Sequence, residues 1–183
     1  MKTAEPARHC CLLRAVNVGG RNKLPMAGLR AALVAHGYDE VTTLLQSGNV
    51  VVRSPLSPPA LEVAVSEVIR ASFDLEITTL VLAGADLATM KQANTLWEPD
   101  RDPSRLVVIV LAAEPAEQGL APLPEVLGDT VLHRGRFVFQ WCPDGISNAL
   151  PLTPWLEKHW SLKATARNWR TMSKLSTLVL GEP

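Results

Sequence analysis

The sequence predicts an α+β protein made of two βαββαβ units in tandem, with a helix at the C-terminus. Three observations carry that reading. Short runs rich in Val, Leu, Ile and Thr alternate with longer segments whose apolar residues recur every three or four positions. Gly, Pro, Asn and Ser mark the joins. The order strand, helix, strand, strand, helix, strand is met over residues 8–83 and again over 105–183, with a helix and linker over 84–104.

Residues 9–16 (HCCLLRAV) are apolar, short and followed by Asn-Val-Gly-Gly, which predicts a buried strand. Residues 17–24 form a loop, and Pro25 opens a helix, a position where its missing N–H is harmless. Met26, Leu29 and Leu33 recur at helical spacing, and Gly37 stands where a helix needs a left-handed C′ residue. Residues 40–46 and 49–53 read as a hairpin about a two-residue Ser47-Gly48 turn. Pro58-Pro59 starts a second helix carrying Leu61, Val65, Val68 and Ile69, and residues 76–82 return as a strand. This is the split βαβ pattern of the ferredoxin-like fold, whose strand order is 4-1-3-2.

After a helix near 84–93 and a loop rich in charge and proline, residues 105–112 (RLVVIVLA) begin the second unit. A short helix is expected near 115–120, a hairpin over 129–133 and 136–141, a helix over 146–159 and a strand over 162–166. The final helix, 168–180, carries Trp169, Met172, Leu175 and Val179 on one stripe, with Asn168 as its N-cap.

The chain is 47% apolar and 20% charged, which is a globular rather than a disordered composition. No apolar run approaches the ~20 residues that span a bilayer. Residues 1–9 are polar and lack a signal core. The three cysteines, Cys10, Cys11 and Cys142, form no metal-binding pattern and suit a reducing compartment. A cytoplasmic protein without membrane partner, cofactor or metal is the expectation, and the oligomeric state is open.

Net charge is zero, but the charges are segregated. Arg8, Arg14, Arg21, Lys23 and Arg30 precede Tyr38 without an acid among them; Lys158, Lys163, Arg167, Arg170 and Lys174 form a second acid-free stretch. Residues 54–129 hold twelve acids against four bases. Two basic ends suggest a local anion site, against the alternative of a solvated surface.

Topology locates the candidate. In the 4-1-3-2 order the end of the first strand, the start of the first helix and the first hairpin share one sheet edge. Asn17, Gly19, Gly20 and Lys23 then stand beside Gln46, Ser47, Gly48 and Asn49. Glycines let a ligand approach the backbone, and nests of N–H groups favour anions. The same residue types also build ordinary turns.

Three separated motifs resemble the domain-of-unknown-function family 1697. They are Leu12 to Gly20 (LLRAVNVGG) with Asn22, Lys23 and Met26; Leu45 to Val51 (LQSGNVV); and Thr165 to Thr171 (TARNWRT) with Lys174 and Leu175. Ala15-Val16 replaces the family's usual Gly-Ile, and Val52 stands where an aromatic is usual. The resemblance implies a cytoplasmic, mainly bacterial protein with two ferredoxin-like subdomains and implies no activity. It adds Arg167, Asn168, Trp169, Thr171 and Lys174 to the candidate cluster.

The leading expectation is binding of a small anionic molecule, phosphorylated or carboxylated, nucleotides included. Arg14, Lys23, Arg167 and Lys174 would supply charge. Gly19, Gly20 and Gly48 would admit the ligand, and Asn17, Gln46, Ser47, Asn49 and Asn168 would bond it. No residue has an assigned catalytic role; Lys23 and Ser47 are the groups a reaction would use, and the chain carries neither a Walker A loop nor a Gly-x-Ser-x-Gly elbow. One alternative is nucleic-acid binding, with bases stacked on Phe137, Phe139 and Trp141. It is weakened by zero net charge and by the absence of aromatics from residues 9–16 and 49–53. The other is an interaction protein whose polar cluster braces buried backbone groups.

Overall fold

The computed structural model describes residues 5–20, 22–116, 118 and 120–181 of the 183-residue chain. The protein is α+β, with two four-stranded antiparallel sheets and helices. The chain divides into two compact units, Met1–Ala88 with Leu175–Pro183, and Thr89–Lys174. Among the described residues no helix is long and apolar enough to cross a membrane.

The first unit runs β1 (Ala7–Leu13), α1 (Met26–Ala35), β2 (Asp39–Leu44), β3 (Asn49–Ser54), α2 (Pro58–Phe73) and β4 (Thr79–Ala83), followed by α3 (Gly84–Ala93). Its sheet order is β2-β3-β1-β4, the expected permutation. Register places Cys11 opposite both Val50 and Val81. Period-two alternation then puts Cys11, Leu13, Val50, Val52 and Val81 into one core. Leu29 and Leu33 of α1 and Leu61, Val65 and Ile69 of α2 close that core from the helix side. Each fully buried Leu or Ile contributes about 1.5–3 kcal/mol of transfer free energy.

Helix ends follow from local chemistry. Pro25 is the N-cap of α1. At the other end Gly37 takes φ +87, Tyr38 N–H donates to Leu33 O at 3.1 Å, and Gly37 N–H donates to Val34 O at 3.0 Å. This is a Schellman closure, and the His36 Nδ1 adds a 2.8 Å bond with Ala32 O.

The expected two-residue turn is longer. Leu45 (φ +61) and Gly48 (φ +77) are both left-handed, so β2 stops at Leu44 and β3 resumes at Asn49. Four residues, not two, make the connection.

The second unit runs β5 (Leu106–Leu111), a 3-10 segment (Glu125–Thr130), β6 (Val131–Arg134), β7 (Phe137–Trp141), a 3-10 turn (Ile146–Asn148), α4 (Leu152–Trp160), β8 (Ala164–Asn168) and α5 (Trp169–Leu180). Its sheet order, β6-β7-β5-β8, repeats the permutation of the first. Helix α5 is divided, with Trp169–Lys174 in the second unit and Leu175–Leu180 in the first.

Two expectations fail here for one reason, proline. In the expected 115–120 helix, Glu117 and Gly119 lie outside the described residues, and the others carry no helix. Pro122 and Pro124 follow closely, and each disfavours helical geometry at the residue before it, Ala121 and Leu123. The expected 146–159 helix is split, because Leu150 precedes Pro151 and is pushed out of helical geometry.

Candidate functional site

The loop after β1 is built around one asparagine. Asn17 adopts φ +55, a conformation asparagine tolerates better than most residues. Its Nδ2 donates to Leu24 O at 3.0 Å and to Gln46 O at 2.7 Å, while its Oδ1 accepts from Leu24 N–H at 2.9 Å. Asn22 completes the loop by donating to Ala15 O at 3.0 Å. The two N-terminal motifs are therefore joined side by side. Each such bond is worth about 0.5–1.5 kcal/mol net.

The hairpin motif is equally self-contained. Asn49 is fully buried, and its Nδ2 donates to Leu44 O at 2.8 Å and Ser47 Oγ at 3.0 Å. Gly48 is required by packing: a Cβ there would stand 2.4 Å from Val16 Cγ2 and 2.7 Å from Leu13 Cβ. Gly48 O also accepts the Leu13 N–H at 2.8 Å. By contrast Gly19 and Gly20, at φ +57 and +76, are exposed with open space where a Cβ would be. Lys23 and Ser47 are exposed and Arg14 is half-buried. Arg21 lies outside the described residues.

The third motif belongs to the second unit. Arg167, on β8, donates from Nη1 to Thr165 Oγ1 at 3.0 Å and Ala166 O at 2.7 Å. Asn168 accepts the Thr171 N–H at 3.0 Å and caps α5. Trp169 is buried with its ring 6.0 Å from that of Trp97, and Lys174 is exposed. Arg170 pairs with Asp102 at 3.2 Å. The N–H and hydroxyl of Ser104 also bond Asp102; with Arg170 and Arg105 nearby, they hold its carboxyl below the usual range. Phe137 and Phe139 are buried, and Trp141 is half-buried beneath the Arg101 guanidinium at 4.9 Å. No stacking platform for bases is left on that strand.

The first unit carries a groove of about 700 Å³ between α1 and the β2–β3 connection. Helix α1 contributes Met26, Ala27, Ala31 and Val34, and the hairpin contributes Thr43, Leu45 and Gln46. Val34 is 55% exposed and Leu45 59%, so the apolar lining is presented to solvent. Arg30 stands on the groove wall and is the one charged residue of α1. Met26, Leu45 and Gln46 are shared by the groove and the sequence motifs, and the Gln46 carbonyl is held by Asn17. Among the described residues no group of three His, Cys, Asp or Glu is placed to hold a metal ion.

Residues 7–139 match the model of the family described as "Protein of unknown function (DUF1697)". The chain belongs to this family. This DUF1697 chain is also similar in fold to a solved structure, that of the conserved bacterial protein SP0830 from Streptococcus pneumoniae. The two are 21% identical, with a TM-score of 0.64 over 95% of this chain and 99% of that one. Comparison with curated proteins finds no match.

Sequence reasoning missed Arg30, Val34 and Leu45 as site residues. A signal existed for the DUF1697 chain. The α1 sequence, MAGLRAALVA, carries a single charge, Arg30, although only Met26, Leu29 and Leu33 of it are buried. A surface helix normally keeps a polar outer face, and Ala27, Ala31 and Val34 depart from that pattern.

Proposed function

We propose that this protein is a binding module whose first unit holds an anionic ligand with an apolar portion in the groove between α1 and the β2–β3 connection. The observation that carries the reading is the groove itself, about 700 Å³ of space with an apolar lining and Arg30 on its wall. The apolar part of a ligand gains about 25 cal/mol for each Å² removed from water there. The Arg30 guanidinium offers a fork that matches a carboxylate or phosphate. The test is calorimetry against a panel of amphipathic carboxylates and phosphates, nucleotides included. Arg30→Glu should weaken the best binder at least tenfold while leaving the melting temperature within a few degrees. Binding that ignores Arg30→Glu removes this reading.

A second reading applies to the Asn and Gly motifs. The bonds of Asn17, Asn49 and Asn168, and the tight space at Gly48, favour bracing of turns and a helix start over contact with a ligand. Asn17 then serves the groove indirectly, by holding Gln46 in place.

We also read each unit as ferredoxin-like, two in tandem. Support comes from the shared strand permutation, with a 3-10 segment in the second unit where the first has α1. The cytoplasm is the proposed location, in keeping with three buried free thiols.

A further inference from the structure

The first sheet has two outer strands, β2 and β4, and they are treated differently. On β4 the Val81 N–H is bonded by Glu62 Oε1 at 2.9 Å and the Ala83 N–H by Asp86 Oδ2 at 2.8 Å. Residues Thr79 to Leu82 are also buried. A strand whose N–H groups are taken by carboxylates offers nothing to another chain. On β2, among the described residues, no side chain bonds a backbone N–H between Val41 and Gln46. Half of the N–H and C=O groups of an outer strand point away from its one neighbour.

Two depressions follow that open side. The groove described above lies at the Leu45 end, and a second of about 490 Å³ lies at the other, lined by Arg8, Glu40 and Thr42 among others. Arg30 and Val34 line both, so the two meet along the strand. Together they follow β2, whose extended residues 41–44 span about 13 Å. An elongated depression beside an unpaired strand suits an extended chain better than a compact molecule. The open stretch has a definite start: Glu40 takes φ +51 and the β2–β3 register shifts between Asp39 and Thr42.

Charge narrows the occupant. Glu40 is already held by Arg8 at 2.6 Å and faces Arg53 at 3.6 Å. Arg30 is exposed where the two depressions meet; Asp39, exposed at the start of β2, is not among the residues that line them. A peptide laid along β2 would therefore do best with an acidic side chain at Arg30 and an apolar one in the groove beside Leu45. A second copy's own β2 is a poorer match, because its Glu40 is already engaged.

We propose that β2 is the acceptor edge for an extended acidic peptide, which adds to the first sheet as a fifth strand. This rests on the groove reading above and names its ligand. The peptide's main chain bonds the open groups of β2. Its side chains alternate, so every second one enters the depressions and meets Val34, Leu45 or Arg30.

The experiment uses the full chain and blocked peptides of the pattern Thr-x-Thr-Glu-Thr-x-Thr, with x as Leu, Val, Ile or Phe. Binding is followed by calorimetry and by amide NMR. At least one peptide should bind, shift the amides of residues 41–46 and slow their exchange. Arg30→Glu should weaken it at least tenfold. N-methylation of one alternate set of peptide amides should abolish binding, and methylation of the other set should not. Equal effects of the two methylated sets, or amide changes away from β2, overturn the proposal. So does concentration-dependent pairing of the protein alone that β2 substitutions remove, which would make a second copy the occupant. If amphipathic small anions bind through Arg30 and no peptide does, the peptide proposal falls and the groove reading stands. If neither binds, both fall.

Discussion

In each sheet the outer strand that follows the second helix is closed by a carboxylate of that helix. Glu62 of α2 bonds the Val81 N–H of β4 at 2.9 Å, and Glu157 of α4 bonds the Ala164 N–H of β8 at 3.1 Å. The outer strand β2 of the first unit has no comparable cover among the described residues. The counterpart of β2 in the second sheet, β6, likewise has no side chain on its backbone N–H groups among the described residues, so what marks β2 is the groove beside it. The same chain seals the corresponding outer strand twice with the same device and leaves β2 bare, flanked by exposed Val34 and Leu45. Bare edges invite pairing and are normally blunted, so one that persists beside a groove points to use.

Substitutions can break or sharpen that contrast. The largest effect is expected from Gly48→Ala, in the connection that shapes the end of β2. Its Cβ would collide with Val16 and Leu13 at a left-handed φ, and a loss of about 3 kcal/mol is expected from strain and overpacking. Urea denaturation measures it; an unchanged midpoint would mean that the connection yields easily and that the shape of the β2 edge is soft. Next come the sealed edges. Glu62→Ala and Glu157→Ala each leave an N–H without that acceptor, for a loss of about 1–3 kcal/mol. Hydrogen exchange at Val81 and Ala164 should accelerate in step, and exchange rates that stay put would show the carboxylates to be ornamental. The smallest effect belongs to the open edge. Thr42→Lys places a charge on exposed β2 and should change stability by less than about 0.5 kcal/mol. A melting point several degrees lower would show that the edge is already engaged in the folded chain.

Much of the fold was legible because β1, β3 and β5 are apolar runs bounded by turn residues, and because α1 and α2 announce themselves with proline and apolar spacing. The strand permutation follows from those signals and the order of the elements. What failed did so where local rules compete. Leu45 gives no hint that it will go left-handed, and the need for glycine at Gly48 is set by Leu13 and Val16, more than thirty positions earlier. The Asn and Gly motifs were conspicuous in the sequence, but their residue types do not say what they do. Asparagines that hold turns and asparagines that hold ligands look alike in sequence, and only the partners of Asn17 and Asn49 separate the two cases. The groove was hidden because most of its lining is Ala, Val, Leu and Met, residue types that read as core until their exposure is known.

Helix α5 carries a consequence for how the chain is made. Its last turn belongs with the first unit, where the Arg8 Nη1 donates to Leu178 O at 3.5 Å. A Cβ at Gly84 would lie 3.2 Å from Leu180 Cδ2, so that turn also sits directly against the start of α3. A ribosome delivers Ala88 long before Leu175, with the whole second unit in between. The first unit must therefore wait through the synthesis of the second with Arg8 and Gly84 uncovered, although domains of this kind generally fold as they emerge. The half that is translated first is the half that is finished last.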